Sequence, residues 1–180
     1  REAADAAEFL ELTAALRGAD PVRTNVLGSV ATGVVQGRRY DDEHWLVVED
    51  DSGAVVGAAV WTPPYRLLLP PLPPAAAAAV GRHVAGMGGL PPGVIGPRET
   101  VECVVRAAGW QTRQAMSERL LVLGDPLPPA PVPGSAREAV QADRELGTEW
   151  MRRFAVDADV LISDPEATFL GRLGSAWFWE

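Results

Sequence analysis

The chain has 180 residues, of which 47% are hydrophobic and 22% charged, with a formal net charge of −8. That share of apolar residues suffices for a packed core, and the acidic balance without a dense basic stripe argues against a nucleic-acid partner. No run reaches the roughly 18–20 uncharged apolar residues of a membrane span, and the single cysteine, Cys103, rules out an intrachain disulfide or a cysteine-based metal site.

All sixteen basic residues are arginine, which together with the high Ala, Gly and Pro content reads as codon bias in a GC-rich genome. No signal peptide is visible, so a reducing cytoplasm is the expected compartment. The chain opens on Arg1, not Met, so its true N-terminus is expected to lie upstream.

Glu2 to Leu16 places Phe9, Leu10, Leu12, Ala15 and Leu16 on one face of an amphipathic helix that Gly18 should end. Asp20-Pro21 pairs an N-cap residue with a proline at the first helical position, predicting a second helix over Val22–Val35. His44–Glu49 and Ala54–Val60 read as two strands joined by the turn Asp50-Asp51-Ser52-Gly53, hence as antiparallel neighbours. Both are nearly apolar throughout, which predicts a sheet covered on each face. Thr62-Pro63-Pro64 interrupts the ladder, and Tyr65–Leu69 is a further predicted strand. After Pro70-Pro71-Leu72-Pro73-Pro74 come a helix over Ala75–Val84, a short strand in Gly93–Pro97, a helix over Glu99–Ala108 closed by Gly109, and a strand over Ser117–Leu123. The order is that of an α/β fold with a mixed sheet.

The proline-rich stretch 127–134 reads as a stiff linker. Beyond it, Ser135–Ala155 is predicted helical, with Leu146, Trp150, Met151 and Phe154 on one side. Asp164-Pro165 starts another helix carrying Phe169, Leu170 and Leu173, and Trp177–Glu180 begins an aromatic strand without a visible partner. Two helices, a glycine and an aromatic strand closing on an acid repeat the pattern of Glu2–Glu49. The domain reading is therefore a complete lobe over 1–126, a linker over 127–134 and the truncated start of a similar lobe over 135–180.

Trp45–Val60 with its acidic turn, Trp61–Leu69, Gly93–Pro97 and the proline linker before Ser135 together resemble the GNAT (Gcn5-related) N-acetyltransferase superfamily, in its tandem-lobe form. The resemblance implies a mixed, mostly antiparallel sheet flanked by helices, and transfer of an acetyl group from acetyl-CoA to a small-molecule amine acceptor. The family's cofactor loop, Gln/Arg-x-x-Gly-x-Gly/Ala, offers bare backbone N–H groups to a pyrophosphate at a helix N-terminus. Here the equivalent joint is Pro70–Pro74, whose four prolines supply no N–H. The first lobe is thus expected to keep the fold without the cofactor loop, with catalytic and cofactor-binding residues lying past Glu180. A non-catalytic binding or interaction module is the alternative. The expected partners are the second lobe of the same chain and a second copy pairing through the half-lobe.

The resemblance assigns the helices after the linker to the wall of the acceptor pocket, making Trp150, Phe154, Phe169 and Trp179 the substrate-side candidates. Ordinary helix-to-sheet core is the competing reading of the same residues. His44 and His83 are far apart with no nucleophile beside them, and Cys103 sits among valines as an expected inert thiol. Asp157, Asp159 and Asp164 lack the spacing and glycine of a calcium loop. Glu99 and Glu102 are one helical turn apart, but nothing puts them in a pocket. Gly86, Gly88 and Gly89 follow a helix instead of opening one, the wrong side for phosphate.

Overall fold

The computed structural model describes residues 1–127 and 130–180. The chain divides into two compact units, Arg1–Gly124 and Asp125–Glu180. Pro128 and Pro129 of the expected linker lie outside the described residues.

In the first unit, Arg1–Ala3 is extended, so the helix expected from Glu2 begins later. Ala3 donates to the Trp45 carbonyl at 2.8 Å, and Val47 donates to that of Arg1 at 2.9 Å. The first helix, α1 (Ala6–Leu12), starts where the Asp5 carboxylate accepts the Glu8 N–H. It breaks at Thr13, a fully buried residue whose hydroxyl bonds back to the Phe9 carbonyl at 2.6 Å. Such back-bonding bends a helix, and α2 (Ala14–Ala19) continues from it straight through Gly18. Asp20 caps a turn instead of a helix: its carboxylate takes the Arg23 N–H, and α3 (Asn25–Val35) begins only after that turn.

The predicted hairpin is present. β1 (His44–Glu49) pairs antiparallel with β2 (Val55–Trp61), with a bulge where Glu49 stands opposite Val55. One oxygen of Asp50 accepts from the Ser52 N–H, the Ser52 hydroxyl and the Ala54 N–H, and Gly53 turns the chain at φ +82°. The expected strand Tyr65–Leu69 shortens to β3 (Leu67–Leu68), which pairs antiparallel with β2. α4 (Pro74–Gly86) then leads to β4 (Val94–Ile95), parallel to β3, and α5 (Arg98–Ala108) ends at left-handed Gly109. The sheet order is β1-β2-β3-β4, with Arg1–Ala3 alongside β1. It is a mixed α/β sheet flanked by helices, covered on both faces as its apolar strands required. Trp45, Val47, Ala58 and Val60 meet Phe9, Leu27 and Ala31 on one face, and Leu46, Ala59, Trp61 and Leu67 meet Ala77, Val80, Val84 and Val104 on the other.

Ser117–Leu123 forms no strand. It enters no ladder among the described residues, and Leu121 and Leu123 are 83% and 80% exposed. β-propensity there finds no packing surface, and strands need one.

The second unit begins with a strand where a helix was expected. β5 (Ala136–Glu138) pairs antiparallel with β6 (Trp177–Trp179), so the terminal aromatic strand does have a partner. Between them lie a 3-10 turn (Gln141–Asp143), α6 (Arg144–Asp157) and α7 (Pro165–Leu170), whose N-cap Asp164 accepts the Ala167 N–H. Phe169 lies against Gly147 and meets Phe178 in a small core.

The internal geometry of this unit repeats the opening of the first. Arg1-Glu2-Ala3 matches Arg137-Glu138-Ala139, and each triplet lies antiparallel beside the strand that follows the helices of its unit. Ala3 donates to the Trp45 carbonyl as Ala139 donates to that of Ala176. Arg1 bridges Glu8 and Glu49, while Arg137 bridges Asp143 and Glu180. The helix-side acid of each pair also takes a loop N–H, Ala4 for Glu8 and Val140 for Asp143. In that register Leu46, Val47, Val48 and Glu49 correspond to Trp177, Phe178, Trp179 and Glu180.

Candidate functional site

The joint between β3 and α4 is the place where a parallel strand meets an antiparallel sheet, a switch in strand order at which open α/β sheets take ligands. Here it is closed from within. Of residues 70–74 only Leu72 has an N–H, and it donates to the Thr100 hydroxyl at 3.2 Å, tying the joint to α5. The Leu72 side chain covers Gly57 of β2: a Cβ on that glycine would lie 2.7 Å from Leu72 Cδ2. Pro70 is fully buried, and β3 and β4 stay bonded past the strand ends through the Leu69 N–H and Ile95 carbonyl at 2.9 Å. Helix α4 makes its first bond from Ala77 to Pro73, leaving the amides of Ala75 and buried Ala76 ahead of it. Residues 70–74 thus offer no free N–H to a pyrophosphate.

A second cluster escaped the sequence reading. The carboxylate of Glu2 accepts from His44 Nδ1 at 3.3 Å on one oxygen and from His83 Nε2 at 3.1 Å on the other. The second ring nitrogen of His44 faces Asp42 at 3.1 Å, and its ring stacks on Trp61 at 5.1 Å between centroids. Burial would raise the Glu2 carboxyl, but the hydrogen bonds from His83 and His44 outweigh it and hold the group below its ordinary range. The cluster ties Arg1–Ala3, β1 and α4 together at one end of the sheet. Its nitrogens meet opposite oxygens of one carboxylate, so it is a chain of hydrogen bonds, not a coordination shell. Among the described residues no group of three or more His, Cys, Asp or Glu side chains is placed to hold a metal ion. No sequence signal could have found it, since the two histidines lie 42 and 81 positions from Glu2.

The substrate-side candidates of the second unit separate. Trp150 and Phe169 line one groove of about 230 Å³ with Gly147, Met151, Trp177 and Phe178. Phe169 is 3% exposed and belongs to the core. Phe154 is half exposed and Trp179 lies back on the turn before β5, its indole N–H on the Pro133 carbonyl. A larger open groove of about 550 Å³ runs along α3, lined by Asn25, Gly28, Ser29, Thr32 and Gly33 between Arg17 and Arg38. Both arginines are engaged, Arg17 with Thr13 and the Leu10 carbonyl, Arg38 with the Tyr40 hydroxyl.

The other residues weighed in the sequence stay apart. Cys103 donates to the Pro74 carbonyl, and α4 runs on to Gly86, so the glycines after it open no helix. No described helix is long and apolar enough to cross a membrane. No family model matches the chain, and neither a curated protein nor a solved structure is detectably similar to it.

Proposed function

We propose that this chain is part of a tandem-lobe N-acetyltransferase of the GNAT kind, in which the unit Arg1–Gly124 serves as a scaffold lobe and does not itself bind acetyl-CoA. The order of elements supports the likeness: an extended opening segment, helices, an antiparallel hairpin, and a parallel pair joined through α4. The repeated arginine clamps support a duplicated lobe opening. The observation that carries the non-catalytic role is the β3–α4 joint, where the one N–H of residues 70–74 is already bonded to Thr100 and Leu72 occupies the space over Gly57. Acetyl transfer to an amine belongs in this reading to the enzyme as a whole, and the acceptor-side wall to Trp150 and its groove.

Calorimetric titration of the 180-residue chain with acetyl-CoA tests the proposal. The expected result is no binding tighter than about 1 mM, a free energy of about −4 kcal/mol. Micromolar binding would overturn the scaffold role. It would also put the cofactor in a place that the prolines do not forbid.

A further inference from the structure

Helix α3 carries an uncharged polar strip between two glycines. At about 100° per residue, Asn25, Ser29, Thr32 and Gln36 all fall inside the sector bounded by Gly28 and Gly33. Leu27 and Ala31 meet the sheet from the opposite side of the helix, so the strip is no unfinished core. Each glycine makes room for an arginine: a Cβ at Gly28 would lie 3.5 Å from Arg17 Nη1, and one at Gly33 3.6 Å from Arg38 Nε. Arg17 is fixed by giving Nε to the Thr13 hydroxyl and Nη2 to the Leu10 carbonyl. Arg38 follows a helix end closed by Gly37 at φ +109°, where its own N–H returns to the Gly33 carbonyl at 2.8 Å. Its Nη1 meets the Tyr40 hydroxyl. These partners are all uncharged and leave donors on Arg17 Nη1 and Arg38 Nη2. No Asp or Glu lines the groove, in a chain that carries 24 of them.

We propose that this groove binds an extended, hydroxylated dianion, a sugar diacid or a sugar bisphosphate, with one anionic end at each arginine. The sign of the ligand follows from two guanidinium groups facing a lining without acids. Its length follows from their spacing. Gly28 and Gly33 are about 7.5 Å apart along the helix axis and on opposite flanks of the strip, so one compact anion meets only one arginine. Guanidinium forks take carboxylate and phosphate oxygens alike through charge-assisted bonds. The hydroxylated body follows from the floor. Ser29 donates to the Asn25 side-chain oxygen at 3.1 Å, which leaves the Asn25 amide N–H groups, the Thr32 hydroxyl and the Gln36 amide for ligand hydroxyls. An aliphatic body would cover those groups without pairing them, which is costly. The volume of about 550 Å³ is that of a small-molecule site. The inference uses no residue of the β3–α4 joint, so it stands or falls apart from the acetyltransferase reading.

Calorimetric titration of the chain with galactarate and, separately, with fructose 1,6-bisphosphate tests the proposal and tells the diacid from the bisphosphate. At least one should bind tighter than about 1 mM, and at least about 10-fold tighter than its one-ended counterpart, galactonate or fructose 6-phosphate. Arg38→Gln removes one anchor and should weaken that binding at least about 10-fold. Thr32→Glu sets a carboxylate between the two arginines and should do the same. Both positions are exposed, so neither variant disturbs the core. Binding of both dianions weaker than about 1 mM, equal binding of a dianion and its monoanion, or indifference to both substitutions overturns the proposal. Amide resonances of the parent chain give a check that needs no variant. On saturation those of Gly28 to Gly33 should shift most, and shifts centred elsewhere in the chain refute the site.

Discussion

Gly57 and Leu72 hold the β3–α4 joint shut, and a double-mutant cycle on them measures how firmly. A Cβ at position 57 would lie 2.7 Å from Leu72 Cδ2, 3.4 Å from Ala76 Cβ and 3.6 Å from Val48 Cβ. Leu72 Cδ2 is the far end of a flexible side chain, so Gly57→Ala can be met by a rotamer shift, at about 1 kcal/mol. Gly57→Val adds two branches with Ala76 and Val48 already in contact, and overpacking of that kind costs about 1–3 kcal/mol. Displacing Leu72 also strains its N–H bond to Thr100, whose hydroxyl is in a residue only 5% exposed. Losing a buried partner adds about 1–3 kcal/mol. Leu72→Ala alone, at a half-buried site, should cost about 1–2 kcal/mol. Combined with Gly57→Val it removes the obstruction, so the double variant should be more stable than the sum predicts by at least about 1 kcal/mol. Thermal melts read this as roughly 4 °C per kcal/mol. Additive losses within about 0.5 kcal/mol would refute the claim that the leucine sits on the glycine.

Three further outcomes follow from the packing and the charges. Arg137 and then the Val140 N–H hold the Asp143 carboxyl down at about 2. A depressed carboxyl contributes stability above its unfolded value of about 3.9, and that contribution is lost as pH falls toward 2. Acid unfolding followed by far-ultraviolet circular dichroism should therefore show a loss between about pH 4 and pH 2 that Asp143→Asn shifts to higher pH; an unshifted curve counts against the clamp. Phe9 is fully buried and its ring meets that of Trp45 at 5.3 Å, so Phe9→Ala should cost about 3–5 kcal/mol in denaturant melts. A loss under about 1.5 kcal/mol would mean the α1–sheet core is loosely packed. Asp164→Ala removes the oxygen that accepts the Ala167 N–H and should cost about 1 kcal/mol, with Asp164→Asn largely neutral. Equal losses from both variants would point away from capping.

The elements that could be read from the chain were those whose signal is local. The hairpin was fixed by β-branched and aromatic runs around Asp50 and Gly53, and α4, β4 and α5 by breakers at both ends. What failed depended on partners far away in sequence. Arg1–Ala3 has helical composition but bonds to β1, about 45 residues on, and a ladder outweighs weak propensity. Ala136–Glu138 was lost in the same way, although the repeated Arg-Glu-Ala was there to be matched. Ser117–Leu123 has the residues of a strand, yet composition alone supplies no edge to pair with. Of the β3–α4 joint, the lack of donors at Pro70, Pro71, Pro73 and Pro74 was legible because prolines have no N–H wherever they stand, whereas the contacts of Leu72 with Gly57 and Thr100 join distant positions. The Glu2–His44–His83 cluster was not, because three residues on three elements have no spacing in common.

The exposed passage from Gln111 to Leu127 has a practical meaning for anyone handling the protein. With no lysine in the chain, trypsin can cut only after arginine, and Arg113 and Arg119 stand there on open backbone outside any helix or ladder. Extended, exposed segments are what proteases bind first. A brief digest should sever this span before the helical arginines are reached. Arg1–Arg113 and Leu120–Glu180 would then be recovered from one preparation, without recloning either.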